Sequence, residues 1–199
     1  MNKKNIKIRK GNNNDVEEIA RLIYYTEVNP VDVWGGESKE ETLENLKTLM
    51  RTKESRYSTD YITVAELDNK VVGAIILIPY DKLDKLSIET DIKLITSIEG
   101  FTEKILYMIN SIKYMVFREC RKGNLYISNI ATDESTRGLG VGKILMMYAE
   151  QVAKSEDFEG ISLIAKNEKV TKFYEKLNYN KNFDRVVLGE RVIKMAKVL

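Results

Sequence analysis

The sequence contains no histidine, which removes Ser-His and Cys-His nucleophile pairs and most zinc sites at once. Any proton transfer must therefore run through a carboxylate, tyrosine, lysine, cysteine or water. The single cysteine, Cys120, excludes an intramolecular disulfide and any multi-cysteine metal site. With no histidine to pair with, it reads as an inert, half-buried thiol near the end of a helix. No apolar run approaches the ~20 residues that a membrane span needs, and the opening MNKKNIKIRK lacks the apolar core of a secretion signal. Lys and Arg (32) nearly balance Asp and Glu (30), and the charges interleave, so no polybasic footprint for nucleic acid or a membrane surface is present. These absences describe a soluble, cytoplasmic, metal-free protein with neither nucleic acid nor membrane as partner.

What remains is 199 residues, 43% of them hydrophobic, enough to bury the core of one domain spanning 1–199. Ile6 and Ile8 alternate with polar residues in NIKIRKG, a short strand ending at Gly11. Asn14, with Glu17 three residues on, caps a helix carrying Val16, Ile19, Ala20 and Ile23, and the run breaks at Asn29-Pro30. Ser38 and Glu41 form a capping box for a second helix with Leu43, Leu46, Leu49 and Met50 on its face. YITVAEL and VVGAIILI, separated by DNK, read as a hairpin closed by Pro79. A helical insertion over about 84–118 follows, clearest at Ile105, Met108, Ile109, Ile112 and Met115 or Val116, with Gly100 dividing two helices. NLYISNIAT is a strand and KILMMYAEQVAK a helix. ISLIA has the continuous apolar character of a buried central strand, and VTKFYEKL is another helix. FDRVVLG and RVIKMAKVL close the chain as two strands around a turn at Gly189-Glu190. This alternation specifies a layered α/β or α+β sheet, without repeats or linkers.

The stretch TRGLGVGK carries the chemistry. A P-loop needs glycine, four residues, then Gly-Lys-Ser/Thr. Here the residue five before Gly142 is Arg137, and Ile144 follows Lys143. A dinucleotide fingerprint fails too: counting from Gly138 ends on Lys143, and counting from Gly140 ends on Leu145. The loop still joins a strand to a helix with several Cβ-free positions, so backbone N–H groups can point at one anion beside the positive end of the helix dipole. A pyrophosphate suits that geometry, with Arg137 and Lys143 adding charge. An ordinary glycine-rich connection has the same outline.

The neighbouring residues narrow the choice. LYISNIATDESTRGLGVGKIL resembles the acetyl-CoA-binding segment of the GNAT N-acetyltransferase superfamily, whose Arg/Gln-x-x-Gly-x-Gly/Ala signature is filled by Arg137, Gly140 and Gly142. KNEKVTKFYEKLNY is similar to the helix after that family's fifth strand, with Asn178 standing where glycine is usual. Asn tolerates the left-handed cap conformation, so this departure is physically conservative. The resemblance covers about residues 123–180. It implies a mixed, mostly antiparallel twisted sheet of about seven strands flanked by helices, with the helical insertion between the third and fourth strands. The insertion falls where the family is variable, so the resemblance implies nothing for it, and it is open to serving as a lid, an acceptor wall or a homodimer surface.

By the same resemblance, the backbone of Ile130, Ala131 and Thr132 pairs with the pantetheine arm. Arg137, Gly138, Leu139, Gly140, Val141, Gly142 and Lys143 hold the pyrophosphate, and Asn167 contacts the donor or simply caps a helix. Tyr174 matches the family tyrosine that protonates the CoA thiolate, although it also shares a stripe with Val170, Phe173 and Leu177 and suits a core position. No general base stands out among Glu134, Glu119, Glu99, Glu27 and water. The acceptor of related enzymes lies near the connection of the first helices, where YYTEVNPVDVWGGE offers Tyr25, Asp32 and Trp34 to a cationic amine. The implied activity is acetyl-CoA-dependent transfer to a primary amine of a small molecule or peptide. A non-catalytic acyl-CoA sensor and a transferase with a longer acyl donor stay open as alternatives.

Overall fold

The computed structural model describes residues 5–97, 100, 104, 105, 107, 119–187 and 190–199. Its strands are β1 (Lys7–Lys10), β2 (Ile62–Leu67), β3 (Lys70–Pro79), β4 (Asn124–Thr132), β5 (Gly160–Ala165), β6 (Asn180–Val187) and β7 (Glu190–Val198). The helices are α1 (Val16–Tyr24), α2 (Pro30–Trp34), α3 (Lys39–Arg51), α4 (Tyr80–Ser97), α5 (Val141–Ser155) and α6 (Glu168–Glu175). The strands form one seven-stranded sheet in the order β1-β2-β3-β4-β5-β7-β6. Only the β4–β5 pair is parallel, because α5 carries the chain back across the sheet between them. The mixed, mostly antiparallel sheet matches the expected architecture.

Each face of the sheet buries its own apolar layer. Val16, Ile19, Ala20 and Ile23 of α1 join Leu46, Leu49 and Met50 of α3 over Val64, Ile76 and Ile78. On the other face, Leu145, Met146 and Ala149 of α5 and Tyr174 of α6 pack on Ile75, Leu125, Ile161 and Leu163. Burying one such large side chain favours folding by about 1.5–3 kcal/mol relative to leaving it exposed. The alternation of Ile75 and Ile76 between the two layers is the period-two pattern of a strand covered on both sides. Gly73 is what lets α5 sit close to the sheet. A Cβ there would lie 2.9 Å from Val141 Cγ1 and 3.2 Å from the Ala131 carbonyl oxygen.

Several local expectations shift. The cap before α1 is Asn12 rather than Asn14: its side chain accepts from the Asn14 N–H, and Asp15 Oδ2 accepts from the Asn12 N–H. Asp15 beats Glu17 because a 3-10 turn at Asn13–Asp15 precedes the α-helix, and Arg9 grips its carboxylate at 2.7 and 2.8 Å. Pro30 does not merely break a run. It opens α2 at the first helical position, where a missing N–H costs nothing. The hairpin turn contracts to Asp68-Asn69, both left-handed, so Lys70 already belongs to β3. The first inserted helix begins at Tyr80, directly after Pro79, and turns Leu83, Leu86, Thr90 and Leu94 inward at spacings of three and four. Ile105 is exposed, and Gly100 has φ +94°. The repeat read at Met108, Ile109, Ile112, Met115 and Val116, and the turn at Gly189, lie outside the described residues. Cys120 is buried, and desolvation pushes its thiol up to about 12, so it stays protonated and unreactive.

Candidate functional site

The parting of β4 from β5 creates the site. Their ladder runs from Asn124↔Gly160 to Ile127↔Leu163 and stops, although β4 continues to Thr132 and β5 to Ala165. On its other edge β4 remains paired with β3, but the register slips between Ile76 and Leu77 so that Ser128 is an extra residue. A bulge bends its strand and increases the local twist, which swings β4 away from β5. The β5-facing edge of Ile130, Ala131 and Thr132 is thereby left without a strand partner among the described residues.

The glycine loop sits at the end of that opening. The Asp133 N–H donates to the Val72 carbonyl, and Asp133 Oδ1 caps a 3-10 turn at Glu134–Thr136. Bonds from Ser135 and Arg21 hold the Asp133 carboxyl down at about 2, so it is ionised throughout the neutral range. Arg21 reaches across from α1 at 2.8 Å, tying the first helix to the loop. The Arg137 N–H then donates to Glu134 and the Leu139 N–H to Thr136, which takes these two amides out of use.

The following amides differ. Gly140 caps α5 in a left-handed conformation with no side-chain acceptor, whereas Ser38 and Asn167 cap α3 and α6 through their side chains. Among the described residues, the N–H groups of Gly138, Gly140, Val141, Gly142 and Lys143 find no acceptor. A helix N-terminus with neither a cap nor an acidic residue in its first turn is an anion site. Gly138 (φ +86°) and Gly140 (φ +79°) are needed for the backbone path, and a Cβ on either would meet no protein atom within 4 Å. The loop therefore presents bare backbone to open space. Arg137 lies at the surface and pairs with Glu134 at 3.0 Å, an exposed bond of small net value. Lys143 is exposed in the first turn of α5.

Across the loop stands α6. The Phe173 ring edge lies 3.6 Å from where a Gly142 Cβ would be, and Tyr174 packs between Phe173 (5.3 Å) and Tyr179 (6.0 Å). Tyr174 is almost fully buried, and its desolvation raises the phenol pKa, keeping the proton on Oη. Asn178 follows at φ +66°, and the Tyr179 N–H returns to the Tyr174 carbonyl, the αL closure that glycine usually supplies. Asn167 caps α6 by accepting from the Val170 N–H while remaining exposed.

The predicted acceptor residues do not converge. Trp34 is completely buried, stacked on Tyr24 at 6.3 Å and edge-on to Tyr57 at 5.8 Å, so it shapes the core under the site. Tyr25 is 64% exposed, and Lys39 Nζ already occupies its aromatic face at 5.1 Å while donating to its hydroxyl. Asp32 faces solvent on α2. The polar groups that do converge were not read as a cluster, being far apart in the chain; Glu119 alone among them stood as a candidate base. Arg56 Nη2 donates to Glu119 (2.7 Å) and to Ser128 Oγ (3.2 Å), and Ser128 donates to Asn129 Oδ1 (3.1 Å). Burial pushes the nearby Tyr57 phenol up to about 12. The Arg56 charge opposes this, while Glu27 and Glu119 add to it. Glu119 is locked by Arg56, Glu134 lies on the loop surface, and Glu99 is outside the described residues.

A family model described as the acetyltransferase (GNAT) family matches residues 19–179, which take in α1 from Ile19 onward, the parted strands, the glycine loop and α6. The chain belongs to the GNAT acetyltransferase family. Solved structures agree in fold with this GNAT protein. They include an acetyltransferase at 19% identity (TM-score 0.72, covering 96% of this chain and 98% of that one). An N-acetyltransferase from Staphylococcus aureus Mu50 aligns at 21% identity (TM-score 0.71, 96% and 100%). A polyamine N-acetyltransferase from Drosophila melanogaster aligns at 15% (TM-score 0.61, 98% and 100%). No curated protein sequence matches the chain. Among the described residues of the GNAT protein, no group of acidic or sulfur side chains is arranged to hold a metal ion, and no helix is long and apolar enough to cross a membrane.

Proposed function

We propose that this protein transfers an acetyl group from acetyl-CoA to a primary amine of a small molecule or peptide, in the cytoplasm and without a metal. The observation that carries the reading is the uncapped start of α5, where the unpartnered amides of Gly138, Gly140, Val141, Gly142 and Lys143 face open space beside parted strands. That arrangement fits a pyrophosphate with an extended amide-bearing arm, since the arm needs exactly the kind of free strand edge left on Ile130, Ala131 and Thr132.

Acetyl-CoA supplies the acyl group as an activated thioester. The chain's own residues supply the rest. The loop amides bind the diphosphate, with Arg137 and Lys143 adding charge at its rim. The β4 edge orients the arm, and the side-chain amide nitrogen of Asn167, two residues past β5, makes no hydrogen bond among the described residues and can join it. Tyr174 Oη holds the proton that a departing thiolate requires, in a position shielded from water by Phe173 and Tyr179. The polyamine N-acetyltransferase among the similar folds makes a cationic amine the first acceptor class to try. The test is an amine panel with acetyl-CoA, scored by mass spectrometry of the amide product. Acetylation of at least one amine, with thiol released in equal amount, is the expected result; thiol release without any amide would refute transfer.

A further inference from the structure

The point where the strands part is fastened from the side of the inserted segment, by one arginine. Arg56 lies in the turn between α3 and β2, and local bonds fix that turn. Ser55 Oγ accepts from the Tyr57 N–H, and the Ser58 N–H donates to the Ser55 carbonyl. The Arg56 N–H itself donates to Thr90 Oγ1 of α4 at 2.9 Å, and that buried hydroxyl donates in turn to the Leu86 carbonyl at 2.7 Å. The base of the Arg56 side chain is thereby held by its own turn and by the first inserted helix.

The guanidinium then reaches three elements at once. Nη1 donates to Ser87 Oγ of α4 at 3.3 Å. Nη2 donates to Glu119 Oε2 at 2.7 Å, where the chain returns from the insertion toward β4, and to Ser128 Oγ at 3.2 Å. Ser128 is the bulge residue, with no register partner on β3 or β5. Its hydroxyl accepts from Arg56 and donates to Asn129 Oδ1 at 3.1 Å, which turns the Asn129 amide nitrogen toward Thr26 Oγ1 at 3.3 Å. Residues 128 and 129 are thus strung between the α4 side and the end of α1, and the unpaired edge begins at the next residue, Ile130. A planar guanidinium fixes its partners relative to one another, which a lysine ammonium does not. A bulge lost by a one-residue slip would turn over every later residue of β4, exchanging the backbone groups that face β3 with those that face the gap.

We infer that Arg56 is a positioning residue for the extended arm of the acyl donor. By holding Ser128 it fixes the bulge, and the bulge sets which backbone groups of Ile130, Ala131 and Thr132 face the gap. The same contacts give the inserted segment a task, since Ser87, Thr90 and Glu119 brace the arginine that braces the edge. Among the described residues Arg56 makes no bond to the glycine loop, so it acts on the arm's site and not on the diphosphate's. The inference rests on the transfer reading above.

The test titrates the full chain, labelled with 15N, with acetyl-CoA and follows the amides of the loop (Gly138 to Lys143) and of the edge (Ile130 to Thr132) in wild type and variants. Ser128→Ala removes the contact with Arg56 and leaves the Arg56–Glu119 pair in place, so the fold should persist. At saturation its loop shifts should equal those of the wild type, while most of the shift at the edge is lost. Its affinity should fall about tenfold, the worth of one or two net hydrogen bonds. Arg56→Lys, which keeps a charge for Glu119 without the fork, should do the same. The double variant should bind no more weakly than either single one, because both cut a single contact. Ser128→Thr keeps the hydroxyl and should restore the edge shifts. Edge shifts in Ser128→Ala equal to those of the wild type, losses that add in the double variant, or a wild type whose loop moves while its edge does not, overturns the inference. If acetyl-CoA moves neither set in the wild type, the transfer reading itself fails; if it moves both sets alike in wild type and Ser128→Ala, only the role of Arg56 falls.

Discussion

Replacing Tyr174 with Phe is expected to cut acetyl transfer by about a hundredfold or more, the range general acid catalysis typically supplies. The substitution deletes one oxygen and leaves the ring between Phe173 and Tyr179, so the fold should be preserved. Acetyl-CoA affinity should be unchanged, because the proposed diphosphate site is the start of α5 and not the phenol. The loss should appear in kcat with little change in the KM for either substrate. Burial raises the Tyr174 pKa above its ordinary value, so the phenol remains the protonated form across the neutral range and contributes no falling limb there. Steady-state kinetics of the variant against the wild type checks this. An unchanged kcat would return Tyr174 to being a member of the core layer on the α5 side of the sheet.

The second large effect is expected at Gly140. Its φ of +79° lies in the left-handed region, where a β-branched side chain is strained by about 1–2 kcal/mol or more. Gly140→Val would move the backbone out of that region and swing the amides of Val141, Gly142 and Lys143 away from a common focus. Any valine that kept the conformation would push its side chain into the open space in front of the loop. Either way acetyl-CoA should bind at least tenfold more weakly, about 1.4 kcal/mol. The hydrophobic face of α5, built from Leu145, Met146 and Ala149, does not include this position, so the melting temperature should fall only slightly. Titration calorimetry gives the affinity and thermal unfolding the stability. Undiminished binding would mean that the loop amides are not the donor's ligands.

Much of this arrangement is legible in the sequence, and the rest has a physical reason for being hidden. The glycine loop could be placed at a strand-to-helix junction because spacing alone separated it from nucleotide loops, and Gly138 and Gly140 take the positive φ that such a turn needs. Helices followed from a period of three to four because each buries one face, and the central strands from continuous apolar runs because β3 and β5 are covered on both. Asn178 could be read as a left-handed cap because few other residues tolerate that conformation. Three things escaped. The bulge at Ser128 is not specified by NLYISNIAT, where the polar pair Ser128-Asn129 interrupts the apolar run without saying that a residue is inserted, yet it is what parts β4 from β5. The close approach of α5 depends on Gly73, a glycine inside a strand whose purpose shows only when the partner helix is in place. The polar network at the parting strands joins Glu27 and Glu119, each weighed singly in the sequence, to Thr26, Arg56, Ser128, Asn129 and Lys166, and no local pattern connects positions so distant in the chain.

Trp34 illustrates the opposite error. An aromatic residue among carboxylates in YYTEVNPVDVWGGE looks like a wall for a cation, but Pro30 starts a turn of helix that rolls the indole inward against Tyr24 and Tyr57. The cation in that neighbourhood is the protein's own Lys39, already over the Tyr24 and Tyr25 rings. Which way each member turns is decided by helix geometry.

The most direct measurement of the central claim is backbone amide NMR of the 15N-labelled protein titrated with acetyl-CoA. The account predicts that the largest shifts fall on Gly138, Gly140, Val141, Gly142 and Lys143, with a second set on Ile130 to Thr132, while Arg137 and Leu139, whose amides are already bonded within the loop, move less. Shifts confined elsewhere, or none at saturating acetyl-CoA, would contradict it.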